Sequence, residues 1–396
     1  MPENKTKPEI RFKGFTYAWE LSALGDLGTT FTGLSGKKKD DFGKGDAHFI
    51  PYLNVFNNPI IDPSFVESIE IDNSQNEVKY GDIFFTTSSE TPDEVGMSSV
   101  WLSGLKNIYL NSFCFGYRLN FLENYDLNYL AYNFRSNSFR NHMILLAQGI
   151  SRFNISKTRA MDIKISIPTL KEQQKIGNFF KNLDKIIDLH QRKCEKLQTI
   201  KKSLLSKMFP SDDKSIPEIR FNGYTYAWEH LKTKELCTIS TGKSNTQDCV
   251  DDGIYPFYVR SEIVERSNRY LFDEEAVLTV GDGGIGKVFH YVNGKYDLHQ
   301  RVYRMFNFSK EITAKYFYYY FSTYFYDRAM AMTAKTSVDS VRYEMIADMD
   351  ISFPKVQEQK FITKFFKNLD KIIDLHQCKC EKLQTIKKSL LGKMFC

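Results

Sequence analysis

FFKNLDKIIDLHQRKCEKLQTIKKSLLSKMF at residues 179–209 recurs at 365–395 with two differences, Arg192/Cys378 and Ser206/Gly392. Residues 171–209 contain no proline, and Ile176, Leu183, His190, Leu197 and Leu204 follow one another at a spacing of seven. A second row, Phe180, Ile187, Cys194, Lys201 and Met208, is offset by four. A stripe at that period on a long helix is the pattern of a coiled coil. The second copy repeats both rows, with Ile362, Leu369, His376, Leu383 and Leu390 in one and Phe366, Ile373, Cys380, Lys387 and Met394 in the other. At 1.5 Å per residue a 39-residue helix is roughly 58 Å long. Pro168 and Pro354 stand just before the two segments, where a proline is tolerated.

One amphipathic helix cannot bury its stripe alone, but two copies in one chain can bury theirs against each other. A folded domain between them makes an antiparallel pair the simpler packing. The expected pair is a rigid spacer with a globular domain at each end. His190 and His376 in the stripe are read as buried polar residues that fix register, with a metal site as the alternative. The Lys-rich outer faces suit DNA phosphates, an acidic partner or plain solvation.

The repeat is wider than the helices. PEIRFKGFTYAWE at 8–20 returns as PEIRFNGYTYAWE at 217–229, and Ser151/Ser337, Asp162/Asp348, Pro168/Pro354 and Glu172-Gln173/Glu358-Gln359 also align. Two units follow, 8–209 and 217–395, joined by a polar linker from Pro210 to Ile216. The copies are offset by 209 at their start and 186 at their end, so the first carries 23 extra residues in its interior. Between Glu20 and Ser151, and between Glu229 and Ser337, the copies share little. Near-identical flanks imply repeated contacts, with each other or with two copies of one partner. Divergent interiors imply two ligands of one general kind, or else drift after a recent duplication.

Composition narrows the class. The length of 396 residues favours two or more domains, and aromatic residues at 15% give ample core material. No apolar run reaches the length of a membrane span, and the first residues, MPENKTKPEI, lack the apolar core of a signal peptide. Seven scattered cysteines without a CxxC pair argue for reduced thiols in a cytoplasmic protein and against a zinc site or disulfide framework. The net charge is +6, but segment 179–209 alone carries +5 and segment 365–395 carries +4, leaving −3 for the rest. A polyanion would therefore meet local basic patches on the interiors rather than broadly basic domains.

Several stretches resemble chemistry that their context does not support. Gly281-Asp-Gly283-Gly-Ile-Gly286-Lys287 matches both GxGxxG and GxxxxGK. Each function needs a helix to follow, with its N-terminus facing the phosphates. Here VFHYV follows and reads as a strand, and Val288 stands where a P-loop requires Ser or Thr. Thr241-Gly-Lys-Ser244 resembles a P-loop tail, but Cys237 replaces the first glycine. There is no HExxH, GxSxG, EF-hand or amino-methyltransferase motif. The aromatic runs Phe317–Phe321 and Tyr129–Phe134 suit helices packed in a core better than a base-stacking platform.

The whole arrangement resembles the specificity subunits of Type I restriction–modification systems. The resemblance rests on two variable domains, two near-identical helical segments, IPTLKEQ and FPKVQEQ before the helices, YGDIFFTTSSE at 80–90, VGDGGIGKV at 280–288 and LHQRVYRM at 298–305. It implies an α+β fold: two globular α/β target-recognition domains separated by two long helices in an antiparallel coiled coil, with an internal pseudo-twofold repeat. It divides the chain into a first target-recognition domain over 1–165, the central helix and linker over 166–213, a second domain over 214–351 and the C-terminal helix over 352–396. It further implies that each domain reads one half of a split site in double-stranded DNA. Two methyltransferase subunits would dock on the repeated helices, and restriction/translocase subunits would join them. The partners would bring S-adenosylmethionine, ATP and magnesium; this chain would hold no cofactor and no metal, and would catalyse nothing. The alternative is a coiled-coil scaffold whose domains bind two proteins.

Base edges are read mainly in the major groove, by Arg, Lys, Asn, Gln, Ser and Thr. In the polar loops of the interiors, the candidate readers are Lys37, Lys38, Lys39, Lys44, Thr86, Thr87, Ser88, Ser89 and Arg118 in the first domain. In the second they are Lys243, Ser244, Asn245, Arg260, Lys287, Gln300 and Arg301. For each of these an ordinary surface role is the alternative.

Overall fold

The structure, a computed structural model, describes residues 6–210, 215–333 and 340–396. Ser337 and residues 211–214 of the linker lie outside the described residues. The chain forms two compact units, Met1–Gln191 with Cys378–Cys396, and Arg192–Gln377. The segmentation read from the sequence follows elements, whereas these units cut both long helices near their middles.

The central helix runs Leu170–Met208 and the C-terminal helix Val356–Lys393. The heptad stripe is their buried face: Ile176, Phe180, Leu183, Ile187, Cys194 and Met208 are buried on the first, and Ile362, Phe366, Leu369, Ile373 and His376 on the second. Leu197, Leu204 and Leu390 are partly buried against the cores, and His190 and Leu383 are also of intermediate exposure.

Within the first unit, the start of the central helix meets the end of the C-terminal helix. Phe180 and Phe395 have ring centroids 5.5 Å apart, and one turn further along Asp184 pairs with Lys387 at 2.5 Å. Contacts that climb one helix while descending the other define an antiparallel packing. The second unit repeats this with the complementary halves: Phe366 stacks on Phe209 at 5.9 Å, and Asp370 pairs with Lys201 at 2.5 Å. Lys201 and Lys387 are charged residues in an apolar row, and their ion pairs explain them. Each ammonium also lies over a tyrosine ring, Tyr319 and Tyr132, whose hydroxyl donates to the same aspartate.

The repeated Glu-Gln pair closes each domain onto its helix. Glu172, buried, takes a bidentate hydrogen bond from Arg11 at 2.6 and 2.7 Å, and Glu358 takes the same from Arg220 at 2.7 Å. The Gln173 amide donates to the Pro168 carbonyl, while its oxygen accepts from the Asp126 N–H at the cap of helix Leu127–Asn133. Gln359 does the same for Pro354 and Thr313, before helix Ala314–Thr333. The aromatic runs lie in these two helices, with Tyr129, Tyr132, Tyr316, Phe317, Tyr320 and Phe321 buried.

The divergent interiors share one topology. Strand Ile83–Thr86 pairs antiparallel with Cys114–Leu119, which pairs with Gly28–Thr32. Phe272–Val280, Val302–Phe306 and Thr238–Thr241 repeat that order. In the second unit the long strand Phe289–Leu298 joins these three to Tyr255–Tyr258 and Val264–Ser267 in one six-stranded sheet. The first unit has two short strands in that place, Ser98–Val100 and Ile108–Leu110, and so splits into sheets of four and three strands. Part of its extra length forms helix Tyr52–Asn57.

Phe395 and Phe209 close the cores beside Tyr129 and Tyr316, at 5.6 and 5.4 Å. Truncating either to alanine should cost about 3–5 kcal/mol. Hydrogen exchange on the two variants should show faster exchange confined to the unit holding the substitution. Equal loosening of both units by Phe395→Ala would contradict this packing.

Candidate nucleic-acid interface

In each unit the sheet ends in a cluster of loops built by the same backbone hydrogen bonds. In the first, the Thr87 N–H donates to the Phe113 carbonyl at 2.8 Å, and the Thr87 carbonyl accepts from Ile155 at 3.0 Å. In the second, the Gly281 N–H donates to Arg301 at 2.8 Å and the Gly281 carbonyl accepts from Val341 at 2.7 Å. Ser88 pairs with Asn154, and Asp282 bridges to Ser340. Both clusters also need a glycine. A Cβ on Gly33 would lie 2.0 Å from the Asn111 carbonyl oxygen, and one on Gly242 would lie 2.1 Å from that of Leu298.

Many of the residues expected to read bases in the first unit have partners inside the protein. Arg118 reaches Asp82, buried at 1% exposure, through two hydrogen bonds of 2.7 Å, and covers the Phe31 ring at 4.9 Å. The hydrogen bond to Asp82 raises its already high pKa further. Thr86 is buried and accepts from the Met97 N–H, and Ser89, also buried, donates to Glu94. Ser88 is buried beneath the Tyr52 hydroxyl, and Thr87 is half-buried. Lys37 is tied to Asp72 at 2.6 Å, and that hydrogen bond pushes its pKa up. Lys44 pairs with Glu70 at 3.2 Å, while Lys38 and Lys39 are exposed beside a short turn.

The second unit gathers more of its candidates in one place. Arg301 donates to Asp282 at 2.6 Å, and Arg260 approaches both oxygens of the same carboxylate at 3.4 Å. Burial alone would raise the Asp282 carboxyl, but the Arg301 hydrogen bond and the Arg260 charge outweigh it and hold the group below its ordinary range. Gln300 donates to Asn245 at 2.6 Å. Ser244 is fully buried, donates to Asp297 and accepts from Arg269, so it serves the loop. Lys243 is exposed, and Lys287 is exposed over the Tyr326 ring at 5.6 Å. The Gly281–Lys287 loop joins strand Phe272–Val280 to strand Phe289–Leu298, a strand–loop–strand with no helix to receive a nucleotide.

Sequence reasoning missed four residues here: Asn111, Phe113, His299 and Asp282. The Asn111 side-chain oxygen accepts from the Phe113 N–H at 2.9 Å. His299 Nδ1 accepts from the Arg301 N–H at 3.1 Å. Burial, then the nearby Arg260 charge, pushes the His299 pKa down, which favours the neutral ring that such an acceptance requires. Phe113 is 53% exposed, with Arg152 over its ring at 5.8 Å, and borders an open cavity of about 370 Å³ also lined by Tyr52, Leu53 and Phe56. The available signal was the parallel between YLNSF at 109–113 and DLHQR at 297–301.

Among the described residues no group of His, Cys, Asp and Glu is placed to hold a metal ion, and no helix is long and apolar enough to cross a membrane. Duplicated frameworks that carry unlike polar loop clusters define a class of protein with two related recognition domains. The model of the family described as "Type I restriction modification DNA specificity domain" matches residues 17–199 and 226–385, and the chain belongs to that family. It is similar to the Type I restriction enzyme MjaVIII specificity subunit of Methanocaldococcus jannaschii, 23% identical over 60% of this chain and 63% of that protein. It is also similar to the putative MjaX specificity subunit of the same organism, 22% identical over 94% of this chain and 92% of that one. Its fold is similar to that of the Type I restriction–modification S subunit from M. genitalium, with a TM-score of 0.67 and 15% identity, over 98% of this chain and 99% of that chain.

Arg118→Ala should destabilise the first unit by about 1–3 kcal/mol, because Asp82 loses its main partner in a buried place. Arg301→Ala should change stability by no more than roughly 0.5 kcal/mol, as for an ordinary surface substitution. Urea unfolding of the two variants checks the contrast, and equal losses would refute it.

Proposed function

We infer that the chain is the DNA-reading subunit of a Type I restriction–modification complex, each unit contacting one half of a bipartite site. The observation that carries this reading is the repetition of one framework around two unlike loop clusters. A protein selected to contact two half-sites of different sequence needs the same scaffold twice and different side chains at its ends. Phosphate contacts orient such a scaffold, and contacts with base edges give it specificity.

The repeat supports two methyltransferase subunits on equivalent surfaces. Ile186, Leu189 and Ile200 are exposed on the central helix, and Ile372, Leu375 and Ile386 are their exposed counterparts on the C-terminal helix. Apolar side chains repeated on solvated helix faces suit a repeated protein contact. In this reading the partners, with the restriction/translocase subunits, supply S-adenosylmethionine, ATP and magnesium chemistry. The chain itself contributes recognition and no catalytic group.

Measured on the chain in complex with its methyltransferase partner, affinity for duplex DNA should fall steeply and linearly on a log–log plot as salt rises, because bound phosphates release counterions. A complex that binds duplex no better than the methyltransferase alone would favour a scaffold for two protein ligands.

A further inference from the structure

Positions 113 and 301 are the same place in the duplicated fold. Each lies two residues after a side chain that accepts its backbone N–H, Asn111 for Phe113 and His299 for Arg301. The carbonyl of each accepts from the residue just past the end of the neighbouring strand, Thr87 or Gly281. The backbone is therefore pinned through both its donor and its acceptor, while the side chain projects into solvent, 53% exposed for Phe113 and 62% for Arg301. A lone exposed phenylalanine is unremarkable on a loose loop. Here it stands on a rigid turn, and the second copy uses the same turn to present a guanidinium.

The two side chains suit different base edges. Arg301 gives only Nη1 to Asp282, and among the described residues the Nε–Nη2 edge of its fork has no partner. A carboxylate that fixes one edge of a guanidinium aims the other, and two parallel N–H groups match the O6 and N7 acceptors of guanine. Phe113 offers no hydrogen bond but an apolar edge, which suits the thymine methyl group. Arg152 lies over its ring and places a cation beside that edge.

Resting on the DNA-reading function inferred above, we propose that residues 113 and 301 are paired base-reading positions. Arg301, positioned by Asp282, specifies a G·C pair in the half-site of the second domain. Phe113 specifies an A·T pair at the equivalent place in the half-site of the first.

Methylated adenines mapped by single-molecule sequencing test this, using the complete complex with the wild-type chain, Arg301→Ala, Arg301→Phe and Phe113→Ala. Arg301→Phe installs the side chain that the same turn already carries in the first unit, so it guards against misfolding. Both Arg301 variants should relax one G·C pair of one half-site, with roughly 5- to 150-fold less discrimination there. The other half should stay fully specified. Phe113→Ala should relax a single A·T pair in the opposite half. A wild-type bipartite motif that survives unchanged in all three variants would overturn this proposal alone, as would a half-site lacking any specified G·C pair for Arg301. A wild-type complex giving no bipartite motif would overturn the DNA-reading function itself, and this inference with it.

Discussion

Each recognition domain is closed by a phenylalanine just past the end of a helix that begins in the other repeat. Phe395 lies against Tyr129 and Phe180 in the first unit, and Phe209 lies against Tyr316 and Phe366 in the second. A helix about 39 residues long cannot hide its stripe by itself, so its two halves are buried in different units. Lys387 and Lys201 then fix the register, because each must reach one aspartate and one tyrosine together. The second unit is one continuous segment, whereas the first is completed only by residues 378–396. Closing the first unit therefore costs the entropy of a long intervening loop that the second unit does not incur.

With the framework fixed this way, the loop clusters can differ without disturbing it. Gly33 and Gly242, and the side chains of Asn111 and His299, rebuild one turn from unlike sequences. The side chain that this turn presents to solvent from its pinned backbone changes from a phenyl ring at 113 to a guanidinium at 301. Rigid presentation reduces the conformational entropy lost on binding, which strengthens whatever contact the presented side chain makes.

The repeated framework was legible because its signals are local or periodic. The seven-residue stripe, the Pro–x–x–x–Glu-Gln starts and the absence of a helix after Gly281–Lys287 could all be read along the chain. The roles of the polar loop residues were not, because their partners are remote in sequence. Arg118 looks like a free cation until Asp82 is placed beside it, and Ser244 looks exposed until Asp297 and Arg269 close over it. Lys201 and Lys387 looked like breaks in an apolar row, and only the antiparallel pairing shows why they are there. Phe113 escaped notice because an apolar residue suggests a core position, and only the folded turn shows it exposed.

The central claim is that each unit is a separate reader on a shared framework. The most direct measurement exchanges residues 21–150 for the corresponding segment of a family member with a different target, then maps methylated adenines on DNA from cells carrying the complex. The account predicts that one half of the bipartite motif changes and the other half stays as it was. A change in both halves, or in neither, would contradict it.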